Sequence, residues 1–219
     1  MTRFTLFLSL LLSASLVACA TDSPGALEQA GFRVGCGADD DSCPVSGLDA
    51  PLAVGARQHV EIDLQIPGSF SPSAPLVSLA PEIITTQGRE LVAQDEGMCA
   101  ILLVDQAGQV LDFIHLWTAQ ADGLSLHLLS DQGLDLGRVE RNIQMAVGES
   151  LRLMPLPQQG ELPLLGRFAD SQWTLEGEAL QLLDEGLGEH RRLRAQQSGS
   201  ASLQVTAGGL AVALTVEVL

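Results

Sequence analysis

Four cysteines offer the clearest chemistry in this sequence: Cys19, Cys36, Cys43 and Cys99. Cys36 and Cys43 enclose a short, glycine-containing loop that can close readily into a disulfide. If Cys19 is modified as argued below, three thiols remain, which in an oxidising compartment predicts one disulfide and one odd thiol. The spacing favours a Cys36–Cys43 pair. Cys99 is then either an inert thiol inside a core strand or a staple that ties the preceding segment to the domain.

The sequence contains one dense cluster of hard ligands that could bind a metal ion, the carboxylates of Asp39, Asp40 and Asp41. Calcium prefers clustered oxygen ligands, but the alternating acids, central glycine and distant glutamate of a calcium loop are absent. Cysteine and histidine spacing does not support zinc either. We therefore expect no metal and no cofactor. Calcium or ligand binding at the acidic cluster is the alternative to a solvated charge run.

The sequence contains no local motif that identifies catalytic residues. The histidines are His59, His115, His127 and His190, and no two of them have ligand spacing or form a His-Glu-x-x-His motif. No Gly-x-Ser-x-Gly elbow occurs, and the absence of lysine excludes a P-loop lysine and a Schiff-base lysine. We expect no catalytic residues. A small secreted hydrolase, with a Ser-His-Asp set assembled by folding, is the less favoured alternative.

The charge balance restricts the possible partners. The chain has 219 residues, 27 of them Asp or Glu and 11 Arg, and its formal net charge is -16. A chain this acidic lacks the basic patch needed to bind nucleic acid or an anionic membrane surface. Hydrophobic residues make up 46% of the sequence, enough to build a sizeable core.

The first residues have the form of a targeting segment. Arg3 precedes an apolar stretch, residues 4–17, which falls short of the about 20 residues that span a bilayer. A cation followed by a short apolar run is typical of a secretory signal peptide. Cleavage would remove Arg3 and no acidic residue, so the mature chain is more acidic still.

The segment Leu16-Val17-Ala18-Cys19 resembles the lipobox of bacterial lipoproteins. The resemblance implies cleavage before Cys19, a diacylglyceryl group on the Cys19 thiol and a fatty acyl group, such as palmitate, on the new amine. An ordinary signal peptide with a nearby cysteine is the alternative. Ala20 lacks the aspartate that marks inner-membrane retention in Gram-negative lipoproteins, which favours the outer membrane of the cell envelope.

Residues 20–50 are rich in Gly, Asp, Ser and Pro without a regular period, which predicts a tether. Beyond them, strict alternation in residues 59–66 and 211–218 predicts half-buried strands. Residues 179–187 could form a short helical turn at most. Two similar hairpins, residues 97–117 and 199–219, turn at glycines 101 residues apart, which suggests two tandem sandwiches.

The second block resembles a bacterial immunoglobulin-like domain. The resemblance is carried by Val147-Gly148-Glu149, Trp173, the segment 199–205 and the final strand, and the first block is a fainter echo of it. It implies a rigid, noncatalytic spacer or adhesion module on a bacterial surface. No cysteine pair brackets Trp173, so an antibody-type disulfide cannot form. Trp117 and Trp173 are expected to anchor the two cores.

These observations predict an all-β protein of two tandem immunoglobulin-like β-sandwiches. We expect a signal peptide at residues 1–18, a tether at 19–50, the first sandwich at 51–140 and the second at 141–219. The predicted function is that of a membrane-anchored, noncatalytic spacer, adhesion or binding module. Its predicted partners are the membrane, through the N-terminal lipid, and an unidentified protein or surface. We expect no nucleic acid partner.

Overall fold

The computed structural model describes residues 22–35, 46–64, 74–131, 133–183 and 190–219. Every regular element in these ranges is a β-strand, as the alternating sequence pattern predicts. None of these residues belongs to a helix of the length and hydropathy needed to cross a membrane. The strands form four sheets, two in each of two sandwiches. The all-β prediction is confirmed.

The first sandwich contains the strands that precede residue 120. They are β1 (Ser23–Pro24), β2 (Ala30–Val34), β3 (Leu52–Ala53), β4 (Arg57–Leu64), β5 (Leu76–Ser78), β6 (Ile84–Gln87), β7 (Glu90–Ala93), β8 (Gly97–Val104) and β9 (Val110–Ala119). One sheet has the order β1-β2-β4-β7-β6 and the other β3-β9-β8-β5. Within the second of these, β3 pairs parallel with β9, and β8 pairs antiparallel with β9.

The second sandwich contains the strands from residue 123 onward. They are β10 (Gly123–Leu129), β11 (Asp135–Arg138), β12 (Asn142–Met145), β13 (Ser150–Gln159), β14 (Leu162–Pro163), β15 (Gln172–Glu176), β16 (Leu180–Leu183), β17 (Arg191–Ala195), β18 (Gly199–Ala207) and β19 (Leu210–Val218). The sheet orders are β11-β10-β13-β17-β16, with β14 at the side of β13, and β12-β19-β18-β15.

Both sandwiches have the same strand order, which is that of an immunoglobulin domain. Strands β2, β4, β7 and β6 take the A, B, E and D positions of one sheet, and β9, β8 and β5 take the G, F and C positions of the other. In the second sandwich β10, β13, β17 and β16 repeat the first set, and β19, β18 and β15 repeat the second. The two predicted hairpins are the F–G hairpins of this repeat.

The two cores are built from the inward positions of the paired sheets. In the first hairpin Cys99, Ile101 and Leu103 alternate with more exposed residues and are buried. In the second, Leu203 and Val205 occupy the corresponding positions. Each fully buried aliphatic side chain contributes about 1.5–3 kcal/mol relative to exposure.

The N-terminal boundary differs from the sequence-based expectation. Residues 19–50 are predicted to be a tether, but β1 and β2 lie inside that range and β2 pairs with β4 along five residues. Five consecutive ladder pairs make this N-terminal segment part of the first sheet. We call residues 22–34 the N-terminal arm. The turn that begins at Gly25 separates β1 from β2, so neither strand is long enough to show a clear alternation of apolar and polar residues. The arm is also held by backbone hydrogen bonds, which a search for side-chain periodicity does not detect.

The seam between the sandwiches also differs from the expected position near residue 140. Strand β10 pairs with β13 along seven residues, and β11 pairs with β10. Strands β10 and β11 precede residue 140 but belong to the sheets of the second sandwich. The boundary between the two sandwiches therefore lies at residues 120–122. Within the range 179–187, for which the sequence allows a helical turn, the described residues 180–183 form β16, which pairs with β17.

Direct hydrogen bonds join the two sandwiches at a place we call the junction, residues 51–58 and 164–168. The Ala53 N–H donates to the Leu165 carbonyl at 2.9 Å, and Arg57 and Arg167 exchange both of their backbone hydrogen bonds at 2.8 Å. The buried side-chain oxygen Oε1 of Gln58 accepts from the Gly166 N–H at 3.1 Å. The junction therefore continues the pairing of the first sandwich into a loop of the second.

An apolar cluster fills the space beside these hydrogen bonds. It contains residues of both sandwiches, namely Ala53, Ala56, Leu124, Leu164, Phe168 and Ala207. Gly166 contacts this cluster through Ala56 and has a φ of +94°. A Cβ at Gly166 would stand 2.6 Å from Leu52 Cδ1 and 2.9 Å from Ala56 Cβ. Only glycine satisfies both the backbone conformation and the packing.

We predict that Gly166→Ala weakens the coupling between the sandwiches by about 2–4 kcal/mol, because it adds steric overlap to backbone strain. In calorimetry the two sandwiches should then unfold in more widely separated transitions than in the unsubstituted protein. Gly160→Ala is the matched control, because Gly160 also has a positive φ, +60°, but nothing lies within 4 Å of its Cβ position. The control should lose only the backbone cost, about 1–2 kcal/mol. Equal effects of the two substitutions would contradict this account of the junction.

Candidate functional site

Several residues singled out in the sequence lie outside the described ranges. They are the proposed lipidation site Cys19, the proposed disulfide partners Cys36 and Cys43, and the acidic cluster Asp39 to Asp41. Lipidation and the disulfide therefore stay predictions, and calcium binding by the acidic cluster stays the alternative to a solvated charge run. The remaining candidate residues can be placed.

Cys99 is a free, buried thiol in β8, 1% exposed. Its Sγ lies 3.1 Å from Ser78 Oγ and donates to the Ala100 carbonyl at 3.4 Å. The expectation that Cys99 is buried is confirmed, and its thiol is free in the structure. The cysteines to which it could be stapled, Cys36 and Cys43, lie outside the described residues, so the choice of disulfide partners stays a prediction. A thiol packed between the sheets is inaccessible to a substrate.

The four histidines occupy separate places. His59 is in β4, His115 in β9 and His127 in β10, and His190 precedes β17. Among the residues that the structure describes, no three His, Cys, Asp or Glu side chains approach closely enough to hold a metal ion. The fold therefore does not assemble the histidines into a ligand set.

One histidine has a carboxylate partner. His127 Nδ1 lies 2.9 Å from Asp135 Oδ2, across the β10–β11 pair. A base with an orienting carboxylate is half of a hydrolytic site, which also requires a nucleophile and oxyanion donors in a concave pocket. Two grooves on the described surface do not supply that setting. An open groove of about 890 Å³ is lined by Asn142, Gln144, Ser200 and Glu217 among others, and a second of about 290 Å³ lies beside β10; neither has a histidine in its lining.

The arginines of β17 make contacts within the second sandwich. Arg192 Nη2 lies 3.7 Å from Asp131 Oδ1, and Arg152 Nη1 donates to the Asp131 carbonyl at 3.4 Å. Arg192 pairs with Arg152 in the β13–β17 ladder, so both side chains reach Asp131 from adjacent strands. The acids at positions 184, 185 and 189, which precede this strand in the sequence, lie outside the described residues.

The two tryptophans have different environments. Trp173 in β15 is partly buried and packs against the second core, as expected. Trp117 in β9 is 54% exposed and does not anchor the first core, so that expectation is wrong. Trp117 is in phase with Phe113 and His115, whereas the buried hydrophobic residues of β9 are Ile114 and Leu116.

The buried charge of the first sandwich was not anticipated from the sequence. Asp112 in β9 is completely buried. Its Oδ1 accepts hydrogen bonds from the N–H groups of Leu27 and Phe113, and its Oδ2 accepts from those of Gln29 and Ala30, all at 2.8 Å. Two of these four donors, Leu27 and Gln29, lie in the turn between β1 and β2, and a third, Ala30, is the first residue of β2.

The carboxylate and the turn fit each other closely. A Cβ at Gly25 would collide with the Asp112 carboxylate, so glycine is required for the approach. Glu28 has a φ of +57°, a left-handed conformation that costs a non-glycine residue about 1–2 kcal/mol. The hydrogen bonds to Asp112 on either side of Glu28 offset this cost. We call this arrangement the Asp112 clamp.

The clamp has a structural role, because four backbone donors occupy both carboxylate oxygens. A catalytic acid or base needs a free lone pair facing a substrate, and Asp112 is closed off from solvent. The sequence did contain one signal for it: Asp112 is in phase with the inward residues Ile114 and Leu116, so a charge falls on a core position. Such a charge requires buried partners.

Comparisons with known proteins do not extend this picture to a function. No protein-family profile and no curated protein sequence matches the chain. Among solved structures, domains 4 and 5 of the S-layer protein SbsC align at 11% identity and TM-score 0.30, covering 86% of this chain and 97% of that one. Invasin, a bacterial integrin-binding protein, aligns at 11% identity and TM-score 0.33, covering 90% of this chain and 41% of that one. The fold assignment rests on the sheet order of this chain itself.

We predict that Asp112→Asn destabilises the first sandwich by about 2–4 kcal/mol, because one amide nitrogen would face two backbone N–H donors in a buried site. Urea denaturation of the mature protein measures this loss. Asp105→Asn is the matched control, since Asp105 accepts the N–H groups of Ala107 and Gln109 through Oδ1 alone at an exposed turn.

The amide introduced by the control substitution would keep that single oxygen acceptor, so the control should change stability by less than about 0.5 kcal/mol. Equal shifts of the urea midpoint by Asp112→Asn and Asp105→Asn would contradict the claim that the Asp112 clamp stabilises the first sandwich.

Proposed function

We propose that the mature protein is a lipid-anchored, noncatalytic binding module of the bacterial cell envelope, with its first sandwich held at the membrane surface. The observation that carries this proposal is the lipobox-like segment Leu16-Val17-Ala18-Cys19 placed directly before the first strand. In this proposal Cys19 is the first residue of the mature chain and carries the lipid. Ala20 after it favours the outer membrane.

The position of β1 limits the distance between lipid and protein. Strand β1 begins at Ser23, four residues after Cys19. A fully extended chain reaches about 3.5 Å per residue, so Ser23 lies within about 14 Å of the Cys19 Cα. With the N-terminal arm built into the first sandwich, that sandwich would rest beside the headgroups instead of being suspended on a long tether.

Membrane attachment by charge is a poor alternative for this chain. Its net charge of -16 is repelled by an anionic leaflet, and the surface potential falls off within a Debye length, about 8 Å at physiological salt. Several acyl chains supply an attachment that does not depend on charge, and two or more chains are needed for a stable anchor. The lipid is therefore the element that would hold an acidic body at the membrane.

A binding or spacing role fits the surfaces better than catalysis does. The buried carboxylate is saturated by backbone donors, the free thiol is inaccessible, and the histidine–aspartate pair lines neither described groove. The junction joins the two sandwiches through backbone hydrogen bonds, as suits a module that presents a surface at a defined distance. Rigid sandwich scaffolds serve many recognition tasks.

We predict that mass spectrometry of the mature N-terminal peptide finds a diacylglyceryl group and an amide-linked acyl chain on Cys19. Cys19→Ala should abolish acyl incorporation and processing at this site. Cys36→Ala is the matched control and should keep the full modification, because it removes a different cysteine. Density-gradient separation of the two bacterial membranes should place the unsubstituted protein in the outer membrane fraction.

An unacylated, freely released mature protein that begins elsewhere than Cys19 would refute the anchor. Retention of the acyl chains by the Cys19→Ala variant would refute the assignment of the site.

A further inference from the structure

The outer face of the β5-β8-β9 sheet in the first sandwich is apolar. Val77 and Leu79 are 39% and 63% exposed, and Met98 and Trp117 are 55% and 54% exposed. Met98 lies directly opposite Trp117 in the β8–β9 ladder, and Leu102 lies opposite Phe113. We call this surface the apolar face.

The pairing joins these residues into one continuous patch. Val77 is opposite Leu102, and the Leu79 N–H donates to the Ala100 carbonyl at 3.1 Å, so β5 extends the patch sideways. His115 is the polar residue within it, and its ring stands edge-on to Phe113 with centroids 5.4 Å apart. No outward position of the three strands, all of which the structure describes, carries a charged side chain. Solvent-facing strand positions are ordinarily polar, so this face has the composition of a covered surface.

The second sandwich provides an internal comparison, because its F–G hairpin has the same topology and a different outer face. There the outward positions of β18 are Ser200, Ser202 and Gln204, and Ser200 pairs with Glu217 at the position where Met98 pairs with Trp117. The fold therefore does not require apolar residues on this face. Their presence in the first sandwich alone is a property of its surface.

The distribution of charge on the chain indicates which kind of partner can bind the apolar face. The chain carries 27 acidic residues, so two copies repel each other through most of their surfaces. The outward positions of the apolar face hold no Asp, Glu or Arg side chain, so the face has no arginine to attract an acidic or anionic partner. It is a surface on which two copies can meet without bringing like charges together, and burial of Trp117 would supply the aromatic anchor typical of interface centres.

The size of the face agrees with a modest dimer. Strands β8 and β9 have 8 and 10 residues, and β5 has 3. At about 3.3 Å per residue and about 4.8 Å between strands they cover about 330 Å², and protruding side chains raise the accessible area to about 500 Å² per copy. Two copies would bury about 1,000 Å² in total, the lower limit for a specific interface.

We propose that the apolar face binds a second copy of this chain, face against face about a two-fold axis, to form a homodimer through the first sandwich. In such an isologous contact each copy contributes the same residues, so Trp117 and Leu79 of both copies are covered together. The second sandwich, with its polar outer face, stays available for other contacts. This inference does not depend on the lipid anchor.

The test is crosslinking in intact cells that produce two differently tagged copies of the full-length protein. A photo-crosslinking amino acid replaces Leu102 in one copy and, as the matched control, Gln204 in another experiment. We expect the Leu102 probe to yield a product of both tags, and the Gln204 probe at least tenfold less of it. Combining Met98→Ser with Trp117→Glu, which reproduces the Ser200–Glu217 pair, should reduce the two-tag product at least tenfold.

Because these side chains are exposed, the double variant should keep the circular dichroism spectrum of the unsubstituted protein. Leu79→Glu, outside the paired residues of β5, is a second variant with the same expected loss, in case the first fails to fold. The proposal is overturned if the Leu102 probe captures only lipid or only a different protein. It is equally overturned if a correctly folded variant keeps the full amount of two-tag product.

Discussion

The Asp112 clamp determines how the first sandwich begins. A carboxylate with no exposure to solvent is tolerated because four backbone N–H groups surround it, and three of them come from the N-terminal arm. Each partner requires the other, since the charge needs donors and the strained turn at Glu28 needs a fixed acceptor. The arm therefore becomes a strand of the first sheet, although its composition is that of a linker.

The position of the arm changes what the two sandwiches can do together. If residues 19–50 were a free tether, the body could sample a wide volume above its anchor. In the lipid-anchored form proposed above, only the chain between Cys19 and Ser23 would separate the lipid from β1. The junction carries the order onward, because Gly166 and Gln58 continue the hydrogen bonding from the first sandwich into the second. Hydrogen bonds of the backbone thus join the N-terminal arm to the first sandwich and the first sandwich to the second.

The sequence predicted the features that depend on side-chain alternation. The hairpins β8–β9 and β18–β19 were found because their apolar residues repeat every second position, and their repetition indicated the tandem architecture. The arm and the junction depend on backbone N–H donors and on the closely packed glycines Gly25 and Gly166. Neither feature produces a periodic pattern in the sequence. Trp117 was misplaced because β9 is apolar on both faces, so composition alone could not tell its inward from its outward residues. Of the candidate site residues, Cys99 was placed correctly because its phase with Ile101 and Leu103 is unambiguous.

The most direct test of the clamp is residue-resolved amide hydrogen exchange on the mature protein. The account predicts that the Gln29 and Ala30 amides, which donate to Asp112, exchange as slowly as the amides of the β8–β9 ladder, because all of them open only when the first sandwich unfolds. Exchange of Gln29 and Ala30 at the rate of an unstructured peptide, while the β8–β9 ladder stays protected, would contradict it.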